Sequence, residues 1–194
     1  MLLERIGKMA ATGCLLALAF SADATADDWI HKGFKVTGGG LLEFEFPKSW
    51  GRKPDAKIVD NITDIQFGPF GPKSKPVFLV HLQAVVALDP ISDTDLLEIT
   101  KVDVENFKKT AFETDIAIND FEGPHVSGHY FSITDRQPKR GEFDYLTMAV
   151  MRAGGLLVKC YFFSSDGAPD FGPDAMQMMR SIKYTAPPPE AEKK

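Results

Sequence analysis

The first half of the chain is patterned mainly as β-strand. The apolar segments GFKVT and LLEFEF flank three glycines at positions 38–40, an arrangement typical of two strands joined by a turn. The segment ITDIQFG follows at 62–68. VFLVHLQAVVAL, at 77–88, is the longest apolar run and alternates little, which predicts a strand inside a sheet covered on both faces.

Two segments have a helical period. SDTD supplies an N-cap side chain near Ser92 and acidic residues that suit the helix dipole. PDFGPDAMQMMRSIKY, at 169–184, is predicted to form the second helix, with Pro173 in its first turn. The apolar stripes of the two helices are, respectively, Leu96, Leu97, Val104, Phe107 and Ala111, and Ala175, Met176, Met179 and Ile182.

The other side of the first predicted helix is charged. Two interpretations fit this pattern, a solvated helix face or an acidic docking surface. The residues concerned are Asp95, Glu98, Lys101, Asp103, Glu105 and Lys109.

The second half predicts a β-meander. HVSGHYFSITD, EFDYLTMAV and LLVKCYFFSS read as three strands, separated by RQPKRG and RAGG. Several strands carry apolar residues on both faces. We therefore expect an α+β fold, a mostly antiparallel sheet with a mid-chain helix and a C-terminal helix, arranged as a three-layer α/β/α sandwich.

The N-terminus has the features of a secretory signal peptide. Arg5 and Lys8 precede the apolar run MAATGCLLALAFS, which is too short to span a bilayer. ADATA then places Ala24 and Ala26 at the small-residue positions of a cleavage site before Asp27. This succession predicts export to the periplasm.

The predicted signal peptide occupies residues 1–26 and a single domain residues 27–185. Cys14 lies inside the apolar run instead of after it, which disfavours a lipoprotein. The proline-rich, charged residues 186–194 are expected to form a disordered tail. We expect no transmembrane segment in the mature chain.

Charge and cysteine content narrow the range of functions. The net charge of −5 at pH 7 argues against nucleic acid as a partner, because phosphate binding needs a concentrated basic surface. Cys160 is the single cysteine of the predicted mature chain, so no intramolecular disulfide can form. It alternates with Val158 and Phe162, which predicts a small core residue.

A resemblance to a known family adds to this picture. LLEFEFPKSWG near the mature start, GEFDYLTMAVMRAGGLLVKCYFFSSDG, and the amphipathic C-terminal helix are similar to the PsbP-like superfamily. Its members include the extrinsic photosystem II subunit and the bacterial envelope protein DcrB. The resemblance implies a small, non-catalytic accessory or binding domain outside the cytoplasm, and it carries over no active-site residues.

The histidines are not expected to bind metal. His125 and His129 lie in a predicted strand, about 13 Å apart, whereas ligands of one ion lie about 2 Å from it. We expect His129 to pack or form a hydrogen bond and His125 to be exposed. His81, within an apolar strand, is interpreted as a hydrogen-bonded core residue.

Other cofactor and enzyme chemistries have little support in the sequence. The seven methionines raise a copper hypothesis, but Met176 and Met179 lie on a predicted packing stripe. No G-x-S-x-G, H-E-x-x-H, P-loop or G-x-G-x-x-G motif occurs. We expect no cofactor and no catalysis.

Two irregular loops, FPKSWGRKPD and GPFGPKSKP, supply the remaining candidate site. An aromatic residue between cations is common in interaction surfaces. The alternative interpretation is that Trp50 and Phe70 cap the core and the lysines are solubilising. The sequence favours a non-catalytic periplasmic accessory or binding protein that acts through these loops on an envelope protein or anionic ligand. The alternatives are a metal- or small-ligand-handling protein and an enzyme of unknown reaction. The candidate interaction patch consists of Trp50, Arg52, Lys53, Phe70, Lys73 and Lys75.

Overall fold

A computed structural model describes most of the predicted domain. The predicted signal peptide and positions 189–194 of the predicted tail lie outside the described residues. The described ranges are 28–50, 55–59, 62–67, 78–87, 89–139, 142–165 and 172–188.

Over the described residues the fold is α+β, with two helices and mostly antiparallel sheet, as predicted. Its elements are β1 (Trp29–Lys35), β2 (Leu41–Pro47), a 3₁₀ turn (Lys48–Trp50), β3 (Asp55–Val59), β4 (Ile62–Phe67), β5 (Phe78–Val86), α1 (Asp93–Phe107), β6 (Asn119–Glu122), β7 (Val126–Thr134), β8 (Tyr145–Ala153), β9 (Leu156–Ser164), α2 (Gly172–Ser181) and β10 (Lys183–Thr185).

The strands named above form two antiparallel sheets within the part of the chain that the structure describes. The larger sheet has the order β3-β4-β5-β9-β8-β7-β6, so the predicted meander β7-β8-β9 is confirmed and β5 lies inside the sheet. The smaller sheet has the order β1-β2-β10, and its β1–β2 hairpin is the predicted one. The glycines at 38–40 all have positive φ, from 83° to 96°, which L residues rarely adopt.

The part of the larger sheet formed by β7, β8 and β9 is apolar on both faces. Because side chains alternate along a strand, one set of β8 and β9 residues packs with α1 and the other set packs with α2 and the smaller sheet. From β8, Leu146, Met148 and Val150 join the α1 cluster, whereas Ala149, Met151 and Ala153 join the other cluster.

The start of α1 follows the predicted capping pattern. The backbone N–H of Asp95 donates to Oγ of Ser92 (3.1 Å), and the backbone N–H of Ser92 donates to Oδ2 of Asp95 (2.9 Å). The side-chain and backbone hydrogen bonds from Ser92 lower the pKa of the Asp95 carboxyl.

The predicted stripe of α1 is correct only in part. Leu96 and Val104 are buried, but the helix ends at Phe107. Ala111 is also buried, yet it lies in a β-bridge with Asp135 beyond the helix. The helix therefore stops one turn earlier than the apolar spacing suggested.

The charged side of α1 also differs from a uniformly solvated face. Oδ2 of Asp103 accepts a hydrogen bond of 2.7 Å from Nζ of Lys159 on β9. The Asp103 side chain is only 15% exposed. This pair joins the helix to the sheet.

Three strands were not predicted from sequence, namely β3, β6 and β10. The predicted C-terminal helix extended to residue 184, but α2 ends at Ser181 and Ile182 is buried directly after it. The chain then pairs with β2 as β10, with Lys183 opposite Glu43. The hydrogen bonds that residues 183–185 form with β2 are therefore more favourable than continuation of the helix.

Sulfur-containing side chains fill the core. Cys160 is fully buried, and burial raises the pKa of its thiol to about 12. Met148, Met178 and Met179 are also fully buried. The interpretation of Cys160 and Met179 as core residues is confirmed, whereas Met176, predicted on the same stripe as Met179, is only partly buried.

Candidate functional site

Trp50 of the candidate interaction patch is buried in the core and is not available at the surface. The Trp50 side chain is 1% exposed, and its ring lies 5.9 Å from that of Phe67 and 6.3 Å from that of Phe162, measured between centroids. The 3₁₀ turn after β2 directs the ring into the core, so the core-capping interpretation is the correct one for Trp50. The other five patch residues, Arg52, Lys53, Phe70, Lys73 and Lys75, lie outside the described residues.

A different group of polar side chains lies together on the α1 side of the larger sheet. The strand register places Glu122 of β6 opposite Ser127 of β7, and Ser127 opposite Arg152 of β8. Two residues along, Asp120 of β6 lies opposite His129 of β7. Directly opposed residues of antiparallel strands share a sheet face, so these five side chains lie in two adjacent rows.

These rows form the floor of a cleft, and the start of α1 forms one wall. The cavity has a volume of about 430 Å³, within the range of about 300–1,000 Å³ usual for small-ligand sites. Its lining consists of Asp93, Asp120, Phe121, Glu122, Ser127, Gly128, His129 and Arg152.

Arg152 fixes the wall of the cleft to its floor. Its Nη1 donates to the backbone carbonyl of Ile91, just before α1. Its Nη2 donates to Oδ1 of Asp93 at 3.0 Å and to Oγ of Ser127 at 3.0 Å. One half-exposed guanidinium therefore joins the first residues of α1 to β7 and β8.

The second row contains a histidine–carboxylate pair. Nδ1 of His129 donates a hydrogen bond of 3.1 Å to Oδ1 of Asp120. The His129 side chain is 15% exposed and that of Asp120 is 94% exposed. When the imidazole is neutral, this bond leaves Nε2 as an acceptor at the cleft.

The prediction for the two histidines is confirmed in its structural part. His129 lies in β7 and forms a hydrogen bond, whereas His125 is exposed and precedes the strand. Asp120 approaches His129 across the β6–β7 pairing. It does so because residues 119–122 form β6, and Gly123 and Pro124 turn the chain into β7.

Gly128 allows β7 and β8 to approach closely in the floor of the cleft. A Cβ at this position would lie 2.1 Å from the carbonyl oxygen of Val150 and 2.6 Å from Cα of Met151. The ladder continues without a break through Gly128, so β7 has no bulge at this position.

The cleft has an uneven distribution of charge. Asp93 neutralises Arg152 on the α1 side. Among the described residues, no Lys or Arg side chain forms an ion pair with Asp120 or Glu122 on β6. In the part of the chain that the structure describes, no group of three or more His, Cys, Asp or Glu side chains is placed to hold a metal ion.

A second cleft, of about 370 Å³, lies beside the β7–β8 connection. Its charged groups mainly bond to the protein itself. Nη2 of Arg136 donates to the carbonyl of Ala111 at 2.8 Å, and the backbone N–H of Lys139 donates to the Glu142 carboxylate at 2.9 Å. These bonds organise the turn and leave the first cleft as the stronger candidate.

His81 belongs to neither cleft. Its Nε2 lies 2.7 Å from Oδ2 of Asp64 on the neighbouring strand β4, and its ring stacks on Tyr161 with centroids 5.4 Å apart. The side chain is 21% exposed. The predicted hydrogen bond of His81 is present, but the predicted core position is wrong, because this face of β5 is partly open to solvent.

The comparisons with known proteins add no relative: no family model, no curated protein and no solved structure matches the chain. None of the helices among the described residues has the length and apolar character needed to cross a membrane.

Proposed function

We propose that this protein is an exported, non-catalytic binding protein of the periplasm that holds a small polar ligand in the cleft between α1 and β6–β8. The observation that carries the proposal is the convergence of Asp120, Glu122, Ser127, His129 and Arg152 in one cavity of about 430 Å³. A small number of polar groups that converge in a preformed cavity is typical of small-ligand sites.

Binding has more support than catalysis. Asp120 orients His129 through Nδ1, as a carboxylate does for a catalytic histidine. A catalytic site would also need a nucleophile hydrogen-bonded to His129, and Ser127 is the hydroxyl that lines the same cleft. The hydroxyl of Ser127 accepts from Arg152, and no hydrogen bond joins Ser127 to His129 among the described residues. The polar groups are thus arranged to hold a ligand.

The fold and the location form part of the same proposal. We take α1, the larger sheet, and the smaller sheet with α2 as the three layers of the domain. This arrangement retains the predicted three-layer order, with the smaller sheet sharing the outer layer with α2. The N-terminal signal pattern supports the periplasm as the location of the protein.

A thermal-shift screen tests the binding function. Amines, amino acids, short peptides, sugars and organic acids are added separately to wild-type protein, Asp120→Asn and His129→Ala. We expect at least one class to raise the melting temperature of the wild type, because a ligand that binds only the folded state stabilises it. The shift should fall in both cleft variants.

His125→Ala is the matched control, since it removes an exposed imidazole only four residues from His129 and outside the cleft lining. A shift reduced equally in His125→Ala would refute the location of the site. Hydrolysis of p-nitrophenyl acetate by the wild type, lost in His129→Ala, would instead establish a catalytic role for the cleft.

A further inference from the structure

We propose that the face of the larger sheet on β4, β5 and β9, on the same side as α1, is a second binding site and that its ligand is a neutral saccharide. The site shares no residue with the cleft between α1 and β6–β8, so the inference goes beyond the proposed function and does not depend on it. It rests on the side-chain rows of three strands, on the pairing of their charges and on a row of aromatic rings.

This face lies beside α1. The two described helices pack mainly on other strands, α1 on β7 and β8 and α2 on β2. Along β5, Val80, Leu82 and Ala84 are buried against the opposite layer, whereas His81 and Gln83 between them are only partly buried. The alternate side chains of β5 are therefore accessible to a ligand from the α1 side.

The strand register places polar side chains in two adjacent rows on this face. The first row crosses β4, β5 and β9 as Gln66, His81 and Tyr161, and the second crosses them as Asp64, Gln83 and Lys159. Directly opposed residues of antiparallel strands share a sheet face. Six side chains that can form hydrogen bonds therefore lie next to one another across three strands, and we call them the open face.

The charged groups of the open face are already paired, but its amides are not. Nε2 of His81 lies 2.7 Å from Oδ2 of Asp64, and Nζ of Lys159 donates to Oδ2 of Asp103 at 2.7 Å. Within the part of the chain that the structure describes, the side-chain amides of Gln66 and Gln83 form no hydrogen bond. An amide has two N–H donors and an acceptor oxygen. The open face therefore favours a neutral ligand that both donates and accepts hydrogen bonds.

A row of aromatic rings runs along the same face. Its members are Phe143, Phe163, Tyr161 and His81, with successive centroid distances of 5.6, 6.2 and 5.4 Å. The rings of Tyr161 and Phe163 are within 5° of parallel, and both side chains are only partly buried. The face of an aromatic ring is negative and attracts the slightly positive hydrogens of C–H groups.

A saccharide matches both the amides and the rings. Each of its hydroxyl groups can donate and accept a hydrogen bond, and its C–H groups form apolar patches that can pack on aromatic rings. A purely apolar ligand would cover the amides of Gln66 and Gln83 without pairing them, which is unfavourable. A phosphorylated ligand would need an unpaired cation, and Lys159 is already paired with Asp103.

Calorimetric titration of the wild type with cellohexaose, maltohexaose and hexa-N-acetylchitohexaose tests the inference. We expect at least one of these neutral oligosaccharides to bind at millimolar concentration or below. Tyr161→Ala should weaken this binding about tenfold or more, because stacking on an aromatic side chain typically contributes about that factor. Gln66→Ala and Gln83→Ala should each weaken it about fivefold, the usual net effect of one hydrogen bond.

Two substitutions outside the open face are matched controls. Tyr145→Ala removes a tyrosine that is 42% exposed and lies on the opposite sheet face, since the next residue, Leu146, faces α1. Gln137→Ala removes an exposed glutamine of the β7–β8 connection. Neither should change the affinity for the saccharide. Circular dichroism checks that each variant is folded, and if Tyr161→Ala unfolds, the two glutamine variants decide the question.

Three results would overturn the inference. They are no heat of binding with any of the three oligosaccharides, unchanged affinity in folded Tyr161→Ala and Gln66→Ala proteins, and tighter binding of adenosine, a neutral planar ligand, than of any saccharide. Saccharide binding that is lost in Asp120→Asn and kept in Gln66→Ala would place the saccharide in the cleft. That result would refute the second site and support the proposed function, so the two proposals can fail separately.

Discussion

Replacing Trp50 tests whether this residue is a core anchor or a surface anchor. Its indole is 1% exposed at the end of the 3₁₀ turn that follows β2. Its ring packs against those of Phe67 and Phe162, at centroid distances of 5.9 and 6.3 Å. Trp50→Ala therefore leaves a cavity that faces two other buried side chains.

The expected loss of stability is large. Truncation of a buried Trp or Phe to Ala typically costs about 3–5 kcal/mol, the sum of lost transfer free energy and the cavity left behind. For a domain of this size, each kcal/mol lowers the melting temperature by about 2–4 °C. Trp50→Ala should thus melt about 6–20 °C below the wild type. Trp50→Phe should lose less, since it retains an aromatic ring.

Urea unfolding followed by far-UV circular dichroism measures this loss without relying on the fluorescence of the deleted residue. Phe112→Ala is the matched control, because it removes an aromatic side chain that is 71% exposed and should change stability by about 0.5 kcal/mol or less. A Trp50→Ala protein as stable as Phe112→Ala would refute the core position. It would also restore the loop patch as the leading candidate site.

Three further predictions follow from single contacts. Gly128→Ala should yield little folded protein in an expression and melting assay, because its Cβ would lie 2.1 Å from a backbone oxygen; a variant as stable as wild type would contradict the close β7–β8 approach. Burial raises the pKa of Glu113, but hydrogen bonds from the backbone N–H and hydroxyl of Thr134 (2.8–3.1 Å) lower it by more, so its folded pKa lies below the usual value of 4.5. The stability from Glu113 is then present above about pH 4.5 and lost as the pH falls through the folded pKa, so the difference in melting temperature between wild type and Glu113→Gln should shrink from pH 7 to pH 3; a constant difference would contradict this. Cys160 should resist a thiol reagent in native protein and react after denaturation, because the buried thiol has a pKa of about 12; rapid native labelling would show that it is accessible.

Local signals in the sequence predicted the parts of the fold that depend on local structure. The three glycines at 38–40 marked the first hairpin, and Ser92 with Asp95 marked the start of α1. The meander followed from three apolar segments separated by short polar turns. In each case neighbouring residues supply the turn or cap that fixes the element.

Elements that depend on distant pairing were missed. β10 is three residues long and forms on β2, about 140 positions earlier, so no local pattern distinguishes it from the end of a helix. β6 has four residues, of which only Phe121 is buried. Its one local signal was the Gly123-Pro124 turn, which is typical of a hairpin connection.

The sequence around Trp50 wrongly favoured a surface position for this residue, and the reason is related. The prolines, glycines and lysines around it are typical of an exposed loop. The candidate interaction patch therefore grouped Trp50 with Arg52, Lys53, Phe70, Lys73 and Lys75. The direction of one ring depends on the 3₁₀ turn and on the cavity offered by Phe67 and Phe162. Neither can be read from local composition.

The candidate cleft was missed because its residues converge through register. Asp120, Glu122, Ser127 and His129 are close in sequence, but they share a face only because β6 pairs with β7. Arg152 joins them through the β7–β8 ladder and then binds the start of α1. Had Gly123 and Pro124 been read as a hairpin turn, alternation alone would have placed the first four side chains together.

This construction supports the proposed role of the cleft in recognition. Its floor consists of three hydrogen-bonded strands, and its wall is a capped helix fixed by Arg152 to two of them. The backbone positions of residues on such elements are defined before a ligand binds, which reduces the ordering entropy that binding costs. Because Arg152 reaches across 59 positions to Asp93, the wall meets the floor only when the sheet and helix have both formed. Ligand binding in the cleft should therefore report the folding of the domain as a whole.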